Sequence, residues 1–257
     1  ENGVTLTIAP GTVVLYADSC EWDTLNDWGN IIDIKIDGNL RAFGTQQDSI
    51  YFKSMDEYNY SIGGIYMESG WDSLSFCSII NYDSFKGDSV ILSVSRSLIK
   101  GGLGINCEHS NVIVSQSLFN QVIGNPIELN EGFLKVENCS FNKIGGLCQY
   151  YAEAWDGVIL GYNLDSFLID SVFVDDAEGT YSALYGGNMA GCCCDGCKYV
   201  RIKNSDFKRI QGGYGDTGLG NGGTGGYGCG IYLERCNFVL IRNYTKIYKY
   251  VDENGRT

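Results

Sequence analysis

The 257-residue chain has a single histidine, His109, and only two prolines. With one histidine, the usual Cys/His pairs of a zinc finger cannot be assembled. No apolar run approaches the length of a membrane span, so no transmembrane helix is expected. Basic residues are scarce: 18 Lys and Arg stand against 31 Asp and Glu, a net charge of −13. That balance argues against nucleic acid and anionic membrane surfaces, which require a basic footprint. It permits divalent cations and neutral or cationic partners. No secretory leader is recognisable. The chain begins at Glu1 rather than Met and reads as a processed or excised piece.

What is present points to a packed β protein. Hydrophobic residues make up 44% of the chain and aromatics 13%, enough to bury a core. The 35 glycines are dispersed, which suggests recurring turns rather than a collagen period. Five segments align as repeats: "VSRSLI" ending at Ile99, "VSQSLF" at Phe119, "VENCSF" at Phe141, "LIDSVF" at Phe173 and "IKNSDF" at Phe207. "LSFCSI", ending at Ile79, is a looser copy. The step starts at about 20 residues and lengthens later, as when loops are inserted into a repeat array. A second motif precedes the copies: "GIYME" from Gly64, "GINCE" from Gly104, "PIELN" from Pro126, "GVILG" from Gly157 and "GIYLE" from Gly230. Its alternation of apolar and polar residues predicts strands with one buried face. Helical periodicity is absent. The pattern predicts an all-β fold, a single right-handed parallel β-helix (solenoid) with loop insertions in the later coils. One domain is expected over 1–257: opening coils at 1–62, short regular coils at 63–146, and coils with long insertions at 147–257.

The segments Gly3 to Ser19 and Ile34 to Ser54 resemble the opening coils of secreted bacterial right-handed β-helix repeat proteins. That family includes polysaccharide lyases, hydrolases, adhesins and structural modules. The resemblance therefore implies a fold and an exported, extracellular or cell-surface location more than an activity. Sequons at Asn59, Asn138 and Asn243 fit a secreted protein.

The eleven cysteines include the run "GCCCDGC" from Gly191 to Cys197. Laid on the strand motif, Cys192 and Cys194 face inward as small hydrophobes, and Cys193 faces out. Cys77 and Cys139 occupy a turn position shared with Ser97, Ser117, Ser171 and Ser205. Cys197 and Cys236 share one repeat position in neighbouring coils, where strand spacing permits a disulfide. Cys194 and Cys197 also form a C-x-x-C, but no second pair accompanies it, so zinc is the weaker alternative.

An outward row of Glu68, Asp88 and Glu108 forms either a solvated acidic face or a Ca²⁺ site, the one cofactor the pattern allows. His109 is expected at the surface. Arg201 and Lys203 resemble the basic pair of β-helix polygalacturonases, but the matching aspartates and histidine motif are missing, so both simply point outward. The Gly-rich stretch Gly212 to Gly230 is either an insertion or a contact arm carrying Tyr214 and Tyr227. Tyr181, Tyr185 and Trp155 add candidate contact aromatics.

Three functions remain open. The first is an extracellular structural or adhesive protein, self-associating head to tail in a filament or assembly. The second is a polysaccharide lyase or glycoside hydrolase. The third is a non-catalytic carbohydrate-binding module. With no catalytic constellation visible, the reading leans against an enzyme.

Overall fold

Alternating patterns such as "LKVE" at 134–137 and "VRIK" at 200–203 put every second side chain on one face of an extended backbone. The computed structural model describes residues 3–16, 34–54, 64–82, 84–145, 155–179, 187–213, 226–243 and 246–247. These residues form twenty-two strands: β1 (Thr5–Ile8), β2 (Val13–Tyr16), β3 (Ile34–Asp37), β4 (Asn39–Phe43), β5 (Ile50–Ser54), β6 (Ile65–Ser75), β7 (Cys77–Ile80), β8 (Phe85–Asp88), β9 (Val90–Ser95), β10 (Leu98–Lys100), β11 (Ile105–Ser115), β12 (Leu118–Asn120), β13 (Ile127–Glu137), β14 (Ser140–Gly145), β15 (Trp155–Asp170), β16 (Phe173–Glu178), β17 (Asn188–Asp195), β18 (Tyr199–Lys203), β19 (Asp206–Gln211), β20 (Gly228–Glu234), β21 (Phe238–Arg242) and β22 (Lys246–Ile247).

Strand pairing among the described residues is parallel and resolves into two sheets. The first has thirteen strands and branches. β6 and β11 are long, and each pairs with β8 along its first half and with β9 along its second. The four strands β6, β8, β11 and β9 thus close a circuit of pairings. The second sheet is separate, with nine strands in the order β2-β5-β7-β10-β12-β14-β16-β19-β22. This corrects the expectation of a single right-handed parallel β-helix built from one repeating coil. The same length of chain is sometimes one bent strand and sometimes two strands, so no single solenoid unit describes it.

The bends have identifiable causes. In the first sheet the long strands turn at Gly70, His109, Glu131 with Gly132, and Asn163, all at positive φ. At Gly132 (φ 115) a Cβ would run into the Ser110 carbonyl of the neighbouring strand, so only glycine fits. From β6 onward, each crossing from the first sheet to the second passes one left-handed residue: Phe76, Arg96, Gln116, Asn138, Ser171, Asn204 or Asn243, with φ between 49° and 54°. Their backbone N–H groups still pair along the stack, for example Gln116 N–H to Glu137 O at 3.0 Å and Asn138 N–H to Asp170 O at 3.0 Å.

The core lies inside these faces. One row of the second sheet, Phe52, Ile79, Ile99, Phe119, Phe141, Val174 and Phe207, is buried throughout. Phe119 and Phe141 stack with centroids 4.6 Å apart. Val174, not Phe173, pairs with Phe141, which corrects the sequence alignment by one residue. Likewise Ile159, not Val158, pairs with Ile127 and Cys192. The serine ladder shifts too: Val172 takes the buried position, and Ser171 is the corner residue. A one-residue slip exchanges the two faces of a strand, so apolar residues on both faces at 157–160 and 172–174 concealed it.

One charge is buried in this stack. Asp72 is 1% exposed in an inward row between Leu40 and Leu92. Its Oδ1 accepts the Leu40 N–H at 2.7 Å, and its Oδ2 has no partner. Burial pushes this carboxyl up to about 6, although the Leu40 N–H pulls the other way. A carboxyl whose folded pKa is raised costs nothing while protonated in both states. Stability therefore falls as pH rises from the unfolded value through about 6. A shift of about two units corresponds to roughly 3 kcal/mol at neutral pH. Asp72→Asn keeps the acceptor without the charge. Denaturant unfolding at pH 4 and pH 8 should show the variant gaining on wild type by a few kcal/mol at the higher pH. An unchanged difference between the two would contradict the assignment.

Candidate functional site

The outer face of the second half of the first sheet carries three parallel rows of side chains. The first contains Trp71, Ile91, Asn111 and Phe133, and further along the stacked pair Tyr199 and Phe238. Trp71 is 70% and Phe238 52% exposed. The Tyr199 and Phe238 rings are 5.2 Å apart and nearly coplanar in orientation, at 5°. The second row runs Arg41, Ser73, Ser93, Ile113, Lys135, Leu168, Arg201, Leu240. The third runs Phe43, Ser75, Ser95, Ser115, Glu137, Asp170, Lys203, Arg242. Strand alternation forces this arrangement, because Val136, Ile169 and Ile202 must point into the core.

Towards β21 the face turns cationic in a chain that is acidic overall. Lys135, Arg201, Lys203 and Arg242 stand around Glu137 and Asp170. Lys135 Nζ lies 2.7 Å from Glu137, and Lys203 Nζ 2.7 Å from Asp170. Asp170 also accepts from Asn204 Nδ2 at 2.9 Å and Ser171 Oγ at 3.1 Å. Partial burial alone would raise this carboxyl. The hydrogen bonds from Lys203, Asn204 and Ser171 outweigh it and hold Asp170 below the usual carboxylate range. The Nε of Arg201 is buried and has no hydrogen-bond partner. It is an unsatisfied guanidinium N–H on a face whose other cations are ion-paired in part.

Beside this face, at the corner between the sheets, runs a groove of about 440 Å³. The left-handed residues Arg96, Gln116 and Asn138 line it together with Leu98, Leu118 and Ser140. Arg96 lies over the Phe76 ring at 5.5 Å. The groove holds one cation and no carboxylate, so it extends the polar surface without supplying acid–base groups.

The acidic row has its own counter-charges. Asp88 and Glu108 are register neighbours, as expected. Glu68, however, pairs with Lys35 at 2.7 Å. His109 Nδ1 lies 3.1 Å from Asp88, and its Nε2 lies 3.6 Å from Glu131. Among the described residues no group of three or more His, Cys, Asp or Glu is placed to hold a metal ion.

Cys192 and Cys194 are buried in the core, as their alternation implied. Cys193 does lie on the opposite face, but it is covered. It joins Leu160 and Ala190 in a second apolar cluster under Tyr162, Cys229 and Tyr232. Cys197 and Cys236 are neighbours with free thiols. Of the contact aromatics, Tyr227 is exposed. Tyr181, Tyr185 and Tyr214 lie outside the described residues, as do the side chain of Trp155 and the sequon at Asn59.

No family model matches the chain, and no curated protein matches it. The resemblance to secreted bacterial β-helix repeat proteins is therefore corrected: it does not identify the chain. Among solved structures, the crystal structure of an alginate lyase from Paenibacillus sp. str. FPU-7 is similar over 91% of this chain and 99% of that one, at 10% identity and a TM-score of 0.39. That protein is an enzyme rather than a filament subunit, but a likeness at this score carries no argument for this chain. The structure supplies the correction to the structural, adhesive and filament reading, and to the leaning against an enzyme. It gathers Arg201, Lys203, Asp170 and Glu137 on one aromatic-lined face. Among the described residues no helix is long and apolar enough to cross a membrane.

The lone histidine makes the acidic row testable. The hydrogen bond to Asp88 comes first among the causes that raise the His109 pKa, and the charges of Glu131 and Glu108 add to it. A raised histidine contributes stability below its unfolded value of about 6.5 and loses it as pH rises through the folded value. NMR titration should place the His109 midpoint above 6.5, and Asp88→Asn should lower it. A midpoint unmoved by Asp88→Asn would show that the pair does not persist in solution.

Proposed function

We propose that the chain is a carbohydrate-active enzyme that binds an acidic polysaccharide along the outer face of the first sheet and cleaves it by β-elimination. The observation that carries this reading is the set of three outward rows, aromatic beside cationic, with the unpaired Arg201 Nε beneath them. Pyranose rings present flat C–H faces that pack on aromatic rings. Their carboxylates pair with arginine and lysine, arginine in two-pronged fashion. Acidic glycans are polymers of the cell exterior, which fits an extracellular protein.

The carboxylates argue against hydrolysis. A glycosidase needs one carboxyl that still holds a proton at working pH. Asp170 is held ionised, and Glu137 is tied to Lys135. Elimination makes the cation the working group. Arg201 neutralises the uronate carboxylate, which acidifies the neighbouring C–H. Lys203, ion-paired with Asp170, adds a second cation beside that carboxylate. The acidified proton passes to solvent, and the C–H electrons form the new C=C bond. The glycosidic oxygen leaves with the C–O bonding electrons and takes up a proton from solvent.

The test pairs binding with cleavage, using polygalacturonate and alginate as acidic probes and a neutral glucan as control. Retention by the acidic polymers should fall about tenfold in Trp71→Ala and Tyr199→Ala, about one to two kcal/mol of stacking. Arg201→Ala should abolish the ultraviolet absorbance of unsaturated products. Failure to bind any acidic polymer would sink the proposal. Binding without unsaturated products would remove the elimination step and leave a carbohydrate-binding module.

A further inference from the structure

We propose that Cys236 and Cys197 form a thiol–disulfide exchange site that reacts with low-molecular-weight disulfides, Cys236 being the entry thiol and Cys197 its partner. The turn after β17 carries Cys197, and the turn after β20 carries Cys236. Hydrogen bonds hold the two turns one strand spacing apart: Asn237 N–H to Cys197 O at 3.0 Å, and Phe238 N–H to Lys198 O at 3.1 Å. Parallel neighbours are about 4.8 Å apart, inside the Cα separation a disulfide spans. Both thiols sit over backbone carbonyls, Cys236 Sγ 3.3 Å from Glu234 O and Cys197 Sγ 3.6 Å from Gly161 O. The Cys194 thiol is within hydrogen-bonding reach of both.

Access distinguishes the three. Cys194 and Cys197 are buried, whereas Cys236 is half-buried and open to a reagent. The hydrogen bond from Cys194 lowers the Cys236 thiol to about 6, against the opposing effect of burial, so it is largely thiolate at neutral pH. Burial pushes Cys77 and Cys193 up to about 12, and Cys139 and Cys229 up to about 11, which leaves them inert.

The exchange balances in two steps. The Cys236 thiolate attacks one sulfur of a disulfide RSSR. The S–S bond breaks, and RS⁻ leaves with the electron pair and takes up a proton. Cys197, giving its proton to solvent, then attacks the Cys236 sulfur of the mixed disulfide and expels the second RS⁻. The protein dithiol is oxidised by two electrons, and RSSR is reduced to two RSH. The new bridge ties β20 and β21 to the layer of β17 and β18 beneath them.

The native chain is exposed to glutathione disulfide, quenched with acid and mapped by peptide mass spectrometry. Wild type should yield a Cys197–Cys236 cross-link and a higher melting temperature than the reduced chain. Cys197→Ser should stop at a mixed disulfide on Cys236. Cys236→Ser should leave the other thiols of the described residues unmodified in the native chain. Iodoacetamide at neutral pH, applied to wild type, checks the entry thiol without a substitution and should label Cys236 before the other cysteines of the described residues. A Cys236 that stays unmodified until the chain unfolds, or a bridge to any residue but Cys197, would overturn the proposal.

Discussion

The backbone ladder has to stay continuous where each pass of the chain turns from one sheet to the next, and the rest of the structure depends on this. Side chains with no natural preference for positive φ occupy the corner, among them Phe76, Arg96 and Gln116. Each such residue costs about 1 kcal/mol or more in backbone strain. The cost is offset because the next layer has the same corner, so the N–H of one meets a carbonyl of its neighbour. Serine hydroxyls complete the pairing just past the bend. Ser97 Oγ accepts the Cys77 N–H at 3.1 Å and donates to Ser95 O at 2.7 Å. Ser117 does the same for Ser97 one layer on. A corner residue has no packing duty, so its side chain is free to line the groove.

The same constraint separates chemistry from stability. Inward positions are committed to rows such as Phe52 to Phe207, so polar function is displaced to the outer faces. Strand spacing then sets how close two like charges come, and the pairings show how the chain handles it. Acidic neighbours recruit Lys35 and His109 on the first half of the sheet. On the second half Lys203 bridges to Asp170 across strands, while Lys135 reaches Glu137 along its own strand. The net charge of −13 therefore says little about the local field. The cations are concentrated where two layers place "VRIK" over "LID". Asp72 is the exception to the rule of outward charge, and it sits where β4 meets β6 and Leu40 needs an acceptor.

Much of the strand content was legible in the sequence. Alternation in "LKVE", "VRIK" and "GIYLE" reports one buried face directly, because a strand has a period of two. The inward aspect of Cys192 and Cys194 and the neighbour relation of Cys197 and Cys236 followed from the same alternation. The misreadings fall where alternation fails. At 157–160 apolar residues line both faces, since Leu160 and Cys193 are buried under a second cluster on the outside. Phe173 and Val174 are both apolar, and motif likeness chose the wrong one.

Local pattern by itself determined that the chain is all β and, where apolar and polar residues alternate, which residues of a strand point out. Those are properties of single segments, read from neighbours one and two positions away. Where insertions separate the layers, tertiary structure decided which outward residues share a row. Arg201 and Lys203 looked like an isolated basic pair because the carboxylate partner of Lys203, Asp170, is more than thirty residues back in the chain. That partnership depends on the length of the insertion between β15 and β18, and the placing of Glu137 beside Asp170 depends on a one-residue irregularity where β13 meets β15. Neither leaves a trace in hydrophobic periodicity, because loop length changes the sequence distance between layers without changing their spacing in space.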